Sequence, residues 1–365
     1  MRNTLYVFGI ALIALGLYLT LWPVPVDPRA WEAPGDIGFT GDFAPNDTLG
    51  NIRVISTFGN HGPEDIALDS QGRIYTGTEG GNILRFEPDG SAGEIWVNTG
   101  GRPQGLDFDR AGNLIVADLH LGLMRVKPDR SLELLTDNCD GLPIRFANDL
   151  DIASDGKIYF SDSSTKFGAR AHGGPDAGRF EVVEQGLTGR LLVYDPGTNT
   201  TTKLMDGLSL ANGVALSRNE DFVLVNETGR YRMHRFWLTG PRAGTGDIFF
   251  KEMPGFPDNI ERGPDGLFWV SLVAPRSPEL DSMAGSPFLR KMVLRLPEFV
   301  QPRVPPHLHI FALDDNGIVR ENLQDPRTKF EANTSVFVTR EAMYLGSLEA
   351  PEFAIWKRRQ ARQDP

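Results

Sequence analysis

The chain has 365 residues, with 37 Lys and Arg against 48 Asp and Glu and a formal net charge of −11. That balance excludes a general nucleic-acid binder, which needs clustered basic side chains. Hydrophobic residues at 40% and charged residues at 23% exclude a disordered or collagen-like chain, and the single cysteine, Cys139, excludes an internal disulfide, CxxC redox chemistry and a cysteine-rich zinc site.

The N-terminus stands apart from the rest. No residue from Leu5 to Val26 is charged, and Leu5–Trp22 supplies 18 largely apolar positions, close to the minimum that spans a bilayer as a helix. Arg2 precedes the run, Trp22 stands where an interfacial aromatic would, and the Pro-rich segment PVPVDP follows. A cleaved signal peptide is the rival reading, but its apolar core would be unusually long and no small-x-small cleavage site is evident between the apolar run and Asp27. Residues 1–26 therefore read as a single-pass membrane anchor. The positive-inside rule places the following chain on the non-cytoplasmic side, periplasmic or extracellular. Residues 27–44 read as a linker.

From residue 45 onward the sequence repeats. Six segments share a polar residue, alternating apolar positions, a turn and a β-rich run: GPEDIALDSQGRIYTGT, RPQGLDFDRAGNLIVAD, FANDLDIASDGKIYFSD, LANGVALSRNEDFVLVNE, FPDNIERGPDGLFWVSL and ANTSVFVTREAMYLGSL. Fixing the register on the turn residue gives Gly72, Gly112, Gly156, Glu220, Gly266 and Glu341. The intervals are 40, 44, 64, 46 and 75 residues, so a unit of about 40 residues recurs with two insertions, 165–188 and 275–308. Six four-strand units of this size predict an all-β fold, a six-bladed β-propeller over residues 45–357. Asp155-Gly156 and Asp265-Gly266 read as hairpin turns, and 40 Gly with 26 Pro suit so many turns. An open ring would leave two sheet edges exposed, so the strand Ile52–Phe58 is expected to pair with Phe353–Trp356. The second insertion reads as a short amphipathic lid, as a segment that rests on the membrane, or as a plain surface excursion. Residues 358–365, with Lys357 before them, form a solvated basic tail.

The head of each repeat carries an oxygen-bearing side chain. Eight positions before each turn residue lie Glu64, Gln104, Asn148, Asn212, Asp258 and Asn333. In a propeller the innermost strands surround the axis, so these six positions converge. Buried carboxylates facing amides need a cation or protons, and an all-oxygen set suits a hard cation, Ca2+ before Mg2+. A water-filled channel lined by amides is the alternative.

These residues carry a resemblance. GRPQGLDFDRAGNLIVAD, DLDIASDGKIYFSDSSTKF, LANGVALSRNEDFVLVNETGRYRMHRFWLTGP and GFPDNIERGPDGLFWVSL resemble the strictosidine synthase-like proteins, in their adipocyte plasma membrane-associated branch. That branch belongs with the calcium-dependent hydrolase propellers, which include the gluconolactonase/regucalcin group, paraoxonases and diisopropylfluorophosphatase. The resemblance covers about residues 50–350 and implies a calcium held by Glu64, Asn148, Asn212 and Asp258, with Asn259 beside them. A second, structural calcium in the paraoxonases involves the position of Asp65, but too few of its other ligands are evident here. The resemblance also implies hydrolysis of esters or lactones, in the manner of an arylesterase, with Asp258 as nucleophile, as base or as plain ligand. Paraoxonases have a His where Gln104 stands, so their His-dependent base does not carry over; Gln104 and Arg102 are expected to orient substrate. True strictosidine synthases depart from the ligand pattern, which disfavours amine–aldehyde condensation. A non-catalytic binding propeller with a structural calcium is the other alternative. His61 reads as a loop residue, the pair His307 and His309 lacks further zinc ligands, and Cys139 reads as a small buried side chain. No G-x-S-x-G, HExxH or P-loop motif occurs.

Overall fold

A computed structural model describes residues 2–302 and 304–358. Arg359 and Arg362 of the basic tail lie outside them. Six four-stranded antiparallel sheets follow one another along the chain. Their innermost strands are Ile66–Leu68, Pro103–Phe108, Ala147–Ile152, Ala211–Leu216, Gly255–Arg262 and Asn333–Val338, in blades 1 to 6. Blade 6 takes its outermost strand from the N-terminal side: Arg53–Ser56 pairs with Glu352–Lys357 in the register Arg53↔Ile355 to Ser56↔Glu352. The ring thus closes where the sequence predicts. The closing strand is shorter than Ile52–Phe58, because Phe58 turns into the left-handed region at φ 56° and ends it.

Each blade interface is packed by side chains from both neighbours. Phe268, Val270 and Leu272 of blade 5 meet Phe222 and Leu224 of blade 4 on one face. Trp269, from the same strand, faces Val336 and Met343 of blade 6 on the other. Strands buried on both faces therefore read as nearly continuous apolar runs, such as Leu114–Asp118 and Phe222–Glu227.

The turn residues that fix the repeat register share a left-handed conformation at five of six places. Gly72, Gly112, Gly156, Glu220 and Gly266 all have positive φ; Glu341 does not. At Gly156 the amide donates to Ala153 O while Ala153 N donates to Lys157 O, a turn longer than a two-residue hairpin with glycine in the left-handed position. In blade 6 the turn closes from Thr339 N to Ala342 O, one residue sooner than Asp69 N to Arg73 O in blade 1.

That missing residue shifts the register of blade 6. Inner strands of blades 2 to 6 all bulge at the same place, with two residues opposing one: Gln104-Gly105, Asn148-Asp149, Asn212-Gly213, Asp258-Asn259 and Thr334-Ser335. The position equivalent to Asn148 is accordingly Thr334, and Asn333 corresponds to Ala147. The sequence register that put Asn333 in the ring is off by one residue at that blade.

Helices occupy the N-terminus and the two insertions. The N-terminal helix α1 (Arg2–Leu21) is long and apolar enough to cross a membrane over Asn3–Leu21. Insertion 165–188 forms α2 (Ala169–His172) and α3 (Gly174–Glu184), and insertion 275–308 forms α4 (Pro278–Ser282) and α5 (Pro287–Leu294). Ser277 and Ser286 cap α4 and α5 through their side chains, each followed by Pro at the first helical position. Val26, Phe146, Phe167, Ala177 and Leu210 form a separate apolar cluster beneath α3, against which Leu294 packs. The 275–308 insertion is therefore a roof over the ring rather than a surface excursion.

Candidate functional site

The bulges explain how one strand can aim consecutive side chains at the axis. A bulge places two residues opposite one and bends the strand, re-aiming the side chains on it. Asp258 and Asn259 share such a bulge. The glycines at the second bulge position keep the strands close. A Cβ on Gly105 would lie 2.7 Å from Asn148 O, and one on Gly213 would lie 2.5 Å from both Asp258 O and Ile260 N. Inner strands of neighbouring blades are also joined by carboxylates, since Asp65 accepts from Leu106 N at 2.9 Å and Asp149 from Val214 N at 2.7 Å.

Glu64, Gln104, Asn148, Asn212 and Asp258 are all at most 5% exposed and form the floor of one cavity of about 350 Å³. Its walls are apolar, with Phe146, Leu210 and Phe256 from the blades and Val182, Met283 and Leu294 from the insertions. Asn259 lies just beneath, donating to Glu64 over long contacts of 3.4 and 3.5 Å. It lines a second cavity of about 290 Å³ lower in the channel, together with Asp65, Asp107, Asp149, Asp151 and Glu261. The ring thus separates an apolar upper chamber from an acidic lower one.

The polar atoms on this ring are incompletely paired. Oδ1 of Asn148, Asn212 and Asn259 is buried with no hydrogen-bond partner. The amide of Asn148 is held in that sense: its nitrogen donates to Ser163 Oγ at 3.0 Å, and that hydroxyl donates to Ala211 O at 2.6 Å. Burial pushes Glu64 well above the usual carboxylate range, with the charges of Asp258 and Asp65 adding to it. Burial likewise raises Asp258 to about 7, against a hydrogen bond from Asn212. Two carboxylates and three unpartnered amide oxygens are a donor set that lacks a positive charge, and a hard divalent cation satisfies both deficits together. Among the described residues no group of three or more His, Cys, Asp or Glu is placed to hold a metal, so any such ion depends on the amide oxygens.

Arg102 is placed differently from the sequence expectation. It is 3% exposed and is not a lining side chain of the upper cavity. Its guanidinium approaches Leu348 O at 3.4 Å and Glu79 at 3.5 Å, and its charge opposes the upward shift of Glu64. It acts on the ring through charge, whereas Gln104 lines the cavity itself. His61 is exposed. His307 and His309 bond to Gln324 and Asn322 and pack against Phe39, away from the ring. Cys139 is buried.

Two contributors were not visible in the repeat heads. Asn226, fully buried on the second strand of blade 4, donates to Asp258 O at 2.6 Å and leaves its own Oδ1 unpartnered. Thr334 donates to Glu64 O at 2.6 Å, tying the first and last blades together at the ring. Counting from the turn misses both, one for lying on a different strand and the other because the turn of blade 6 is short.

The strictosidine synthase family model matches residues 148–241, and the strictosidine synthase-like N-terminal model matches residues 41–86. The chain is 34% identical over 352 residues to protein strictosidine synthase-like 10 of Arabidopsis thaliana, covering 87% of this chain and 92% of that protein. It is 33% identical over 370 residues to the adipocyte plasma membrane-associated protein of Rattus norvegicus, covering 94% and 95%. Among solved structures, a gluconolactonase from Xanthomonas campestris superposes with a TM-score of 0.60 at 17% identity, covering 93% of this chain and all of that one. That likeness shows the fold.

Proposed function

The chain belongs to the strictosidine synthase-like family, and we propose that it is a membrane-anchored hydrolase of carboxylic esters or lactones whose reaction centre is the ring on the propeller axis. Glu64, Asn148, Asn212, Asp258 and Asn259 would hold a calcium ion there. The observation that carries this reading is the set of buried, unpartnered oxygens of Asn148, Asn212 and Asn259, gathered with two carboxylates where the apolar upper chamber meets the acidic lower one. When bound, calcium supplies a Lewis acid that polarises a carbonyl oxygen and stabilises negative charge developing on it.

The chain's own residues account for the remaining requirements. The apolar walls exclude water from a bound ester and favour an apolar acyl or aryl group. Gln104 at the floor can donate a hydrogen bond to the substrate and orient it, but an amide cannot take up a proton. Among the described residues, the only carboxylates lining the cavity are Glu64 and Asp258. Asp258 accepts from the Asn212 amide and has no cationic partner among the described residues; it would attack the acyl carbon or draw a proton from water. Asn226, bonded to the Asp258 backbone carbonyl, fixes its position. Helix α1 would anchor the protein with the propeller on the non-cytoplasmic side. The likeness to the rat adipocyte plasma membrane-associated protein supports a membrane location, and the likeness to the Xanthomonas gluconolactonase is in keeping with a lactone substrate.

The absence of a basic side chain at Gln104 favours a second reading, a binding propeller with a structural calcium. Metal analysis of the detergent-purified chain, with assays on aryl esters, lactones and phosphotriesters in the presence and absence of chelator, separates the two. Calcium-dependent turnover supports the hydrolase. Bound calcium without turnover favours the binding propeller, and no bound calcium removes the site assignment. Asp258→Ala is expected to abolish turnover; an unchanged rate would remove it from both metal and chemistry.

A further inference from the structure

Three buried arginines tie the roof of the upper cavity to the segment that follows α1. Arg295, just past α5, donates to Leu19 O at 2.9 Å and to Trp22 O at 2.6 Å, two carbonyls that the end of α1 leaves unpaired. Arg290 is 1% exposed and forms no ion pair among the described residues. It donates instead to Arg29 O, to Val183 O at 2.5 Å and to Ala284 O at 3.1 Å. Arg276 donates to Pro34 O at 2.6 Å and Gly35 O at 3.0 Å. Lys291 pairs with Asp27 at 2.8 Å. Residues 19–35 are thus strapped across the roof, and α5 is held within one arginine side chain of the point where α1 ends.

Helix α5 is apolar on two opposite sides. Val293 and Leu294 line the cavity beside Arg290. Phe288 and Leu289 point outward, 53% and 43% exposed, and Phe299 beyond them is 83% exposed. A contiguous exposed apolar patch of this kind marks a contact surface. Helix α5 is in contact with α1, whose apolar side chains are exposed along its length. From the anchoring of α5 to the end of α1, we propose that the outer face of the roof, Phe288, Leu289, Phe299 and Val300, rests in the lipid bilayer that α1 enters. Esters with a long apolar tail pass from that bilayer into the upper cavity. The proposal rests on the reading of α1 as an anchor and of the cavity as an ester site. No partner protein is needed to cover the patch, because the bilayer is already at hand wherever α1 is inserted.

The test uses the full chain in phosphatidylcholine vesicles, with an environment-sensitive fluorophore attached to Phe288→Cys or Phe299→Cys. Ile95→Cys, on the outer strand of blade 1, serves as control, and the native Cys139 is buried. Nitroxide-bearing phosphatidylcholine is expected to quench the first two labels at least twofold and to leave the third unchanged. Unquenched labels at 288 and 299 overturn the docked face, and so does quenching only by a second labelled copy of the chain. For the substrate class, kcat/KM for p-nitrophenyl esters is expected to rise roughly tenfold for each two methylenes added to the acyl chain. Phe288→Ser with Phe299→Ser should lower octanoate hydrolysis at least fivefold in vesicles while sparing acetate hydrolysis. Equal rates for all chain lengths overturn delivery of long-tailed esters. Absence of hydrolysis for every ester, with labels still quenched, defeats the enzymatic reading and leaves the bilayer face standing.

Discussion

Replacing Asp258 with Asn should reverse its effect on stability according to whether calcium is present. The substitution keeps the volume and one acceptor oxygen while removing the charge. In chelator the carboxyl of Asp258 is raised from 3.8 to about 7, first by burial and then by the charge of Asp65. Three pKa units correspond to about 4 kcal/mol of preference for the neutral form. A carboxyl raised in the folded state contributes stability that is complete below its unfolded value and lost as pH rises through the folded value. At pH 8, above that window, ionised Asp258 therefore costs the metal-free protein most of this amount. Asp258→Asn should recover at least about 1 kcal/mol of it, because the new amide must still find partners, and should melt roughly 2 °C higher in chelator. Calcium at a hundredfold excess over its dissociation constant adds about 2.7 kcal/mol to the native protein. The variant, with one carboxylate fewer, should gain much less. Differential scanning calorimetry at pH 8 should thus rank the variant above the native protein in chelator and below it in calcium. A variant less stable under both conditions would refute the view that Asp258 is strained without a cation, and equal melting of native protein with and without calcium would refute the site.

Three further outcomes follow from the same geometry. Ser163→Ala releases the amide of Asn148, so calcium affinity by isothermal titration should fall roughly 10–100-fold, with blade 3 still folded by circular dichroism. Gly213→Ala sets a Cβ 2.5 Å from the backbone of Asp258 and Ile260; overpacking against backbone should cost at least about 2 kcal/mol in urea unfolding, and an unchanged midpoint would mean that the strands can part. In the lower chamber, burial raises Asp65 and Asp151 to about 6 each. Metal-free stability should consequently fall as pH rises from about 4 to about 6.5, where the unfolded chain ionises before the folded one; a urea midpoint rising over that range would contradict it.

The repeat was legible because each blade needs the same local chemistry: an apolar run buried on both faces, a turn residue tolerant of positive φ and a polar head on the inner strand. Those constraints act within about twenty residues, so the sequence by itself determined the blade number, the closing strand pair and most of the ring, Glu64, Gln104, Asn148, Asn212 and Asp258. The apolar run of α1 was equally local. Where the spacing was not uniform, the reading slipped. A turn shorter by one residue moved Thr334 into the place expected of Asn333, and only pairing with Ala342–Ser347 reveals the shift. What the sequence could not specify depends on contacts between distant segments. Asn226 supports Asp258 from the neighbouring blade, Arg102 reaches Glu79 and Leu348 O without itself lining the cavity, and Arg276, Arg290 and Arg295 bind backbone carbonyls more than 100 residues away. Backbone carbonyls carry no sequence signature, so the strap and the roof it holds were decided by the tertiary structure alone.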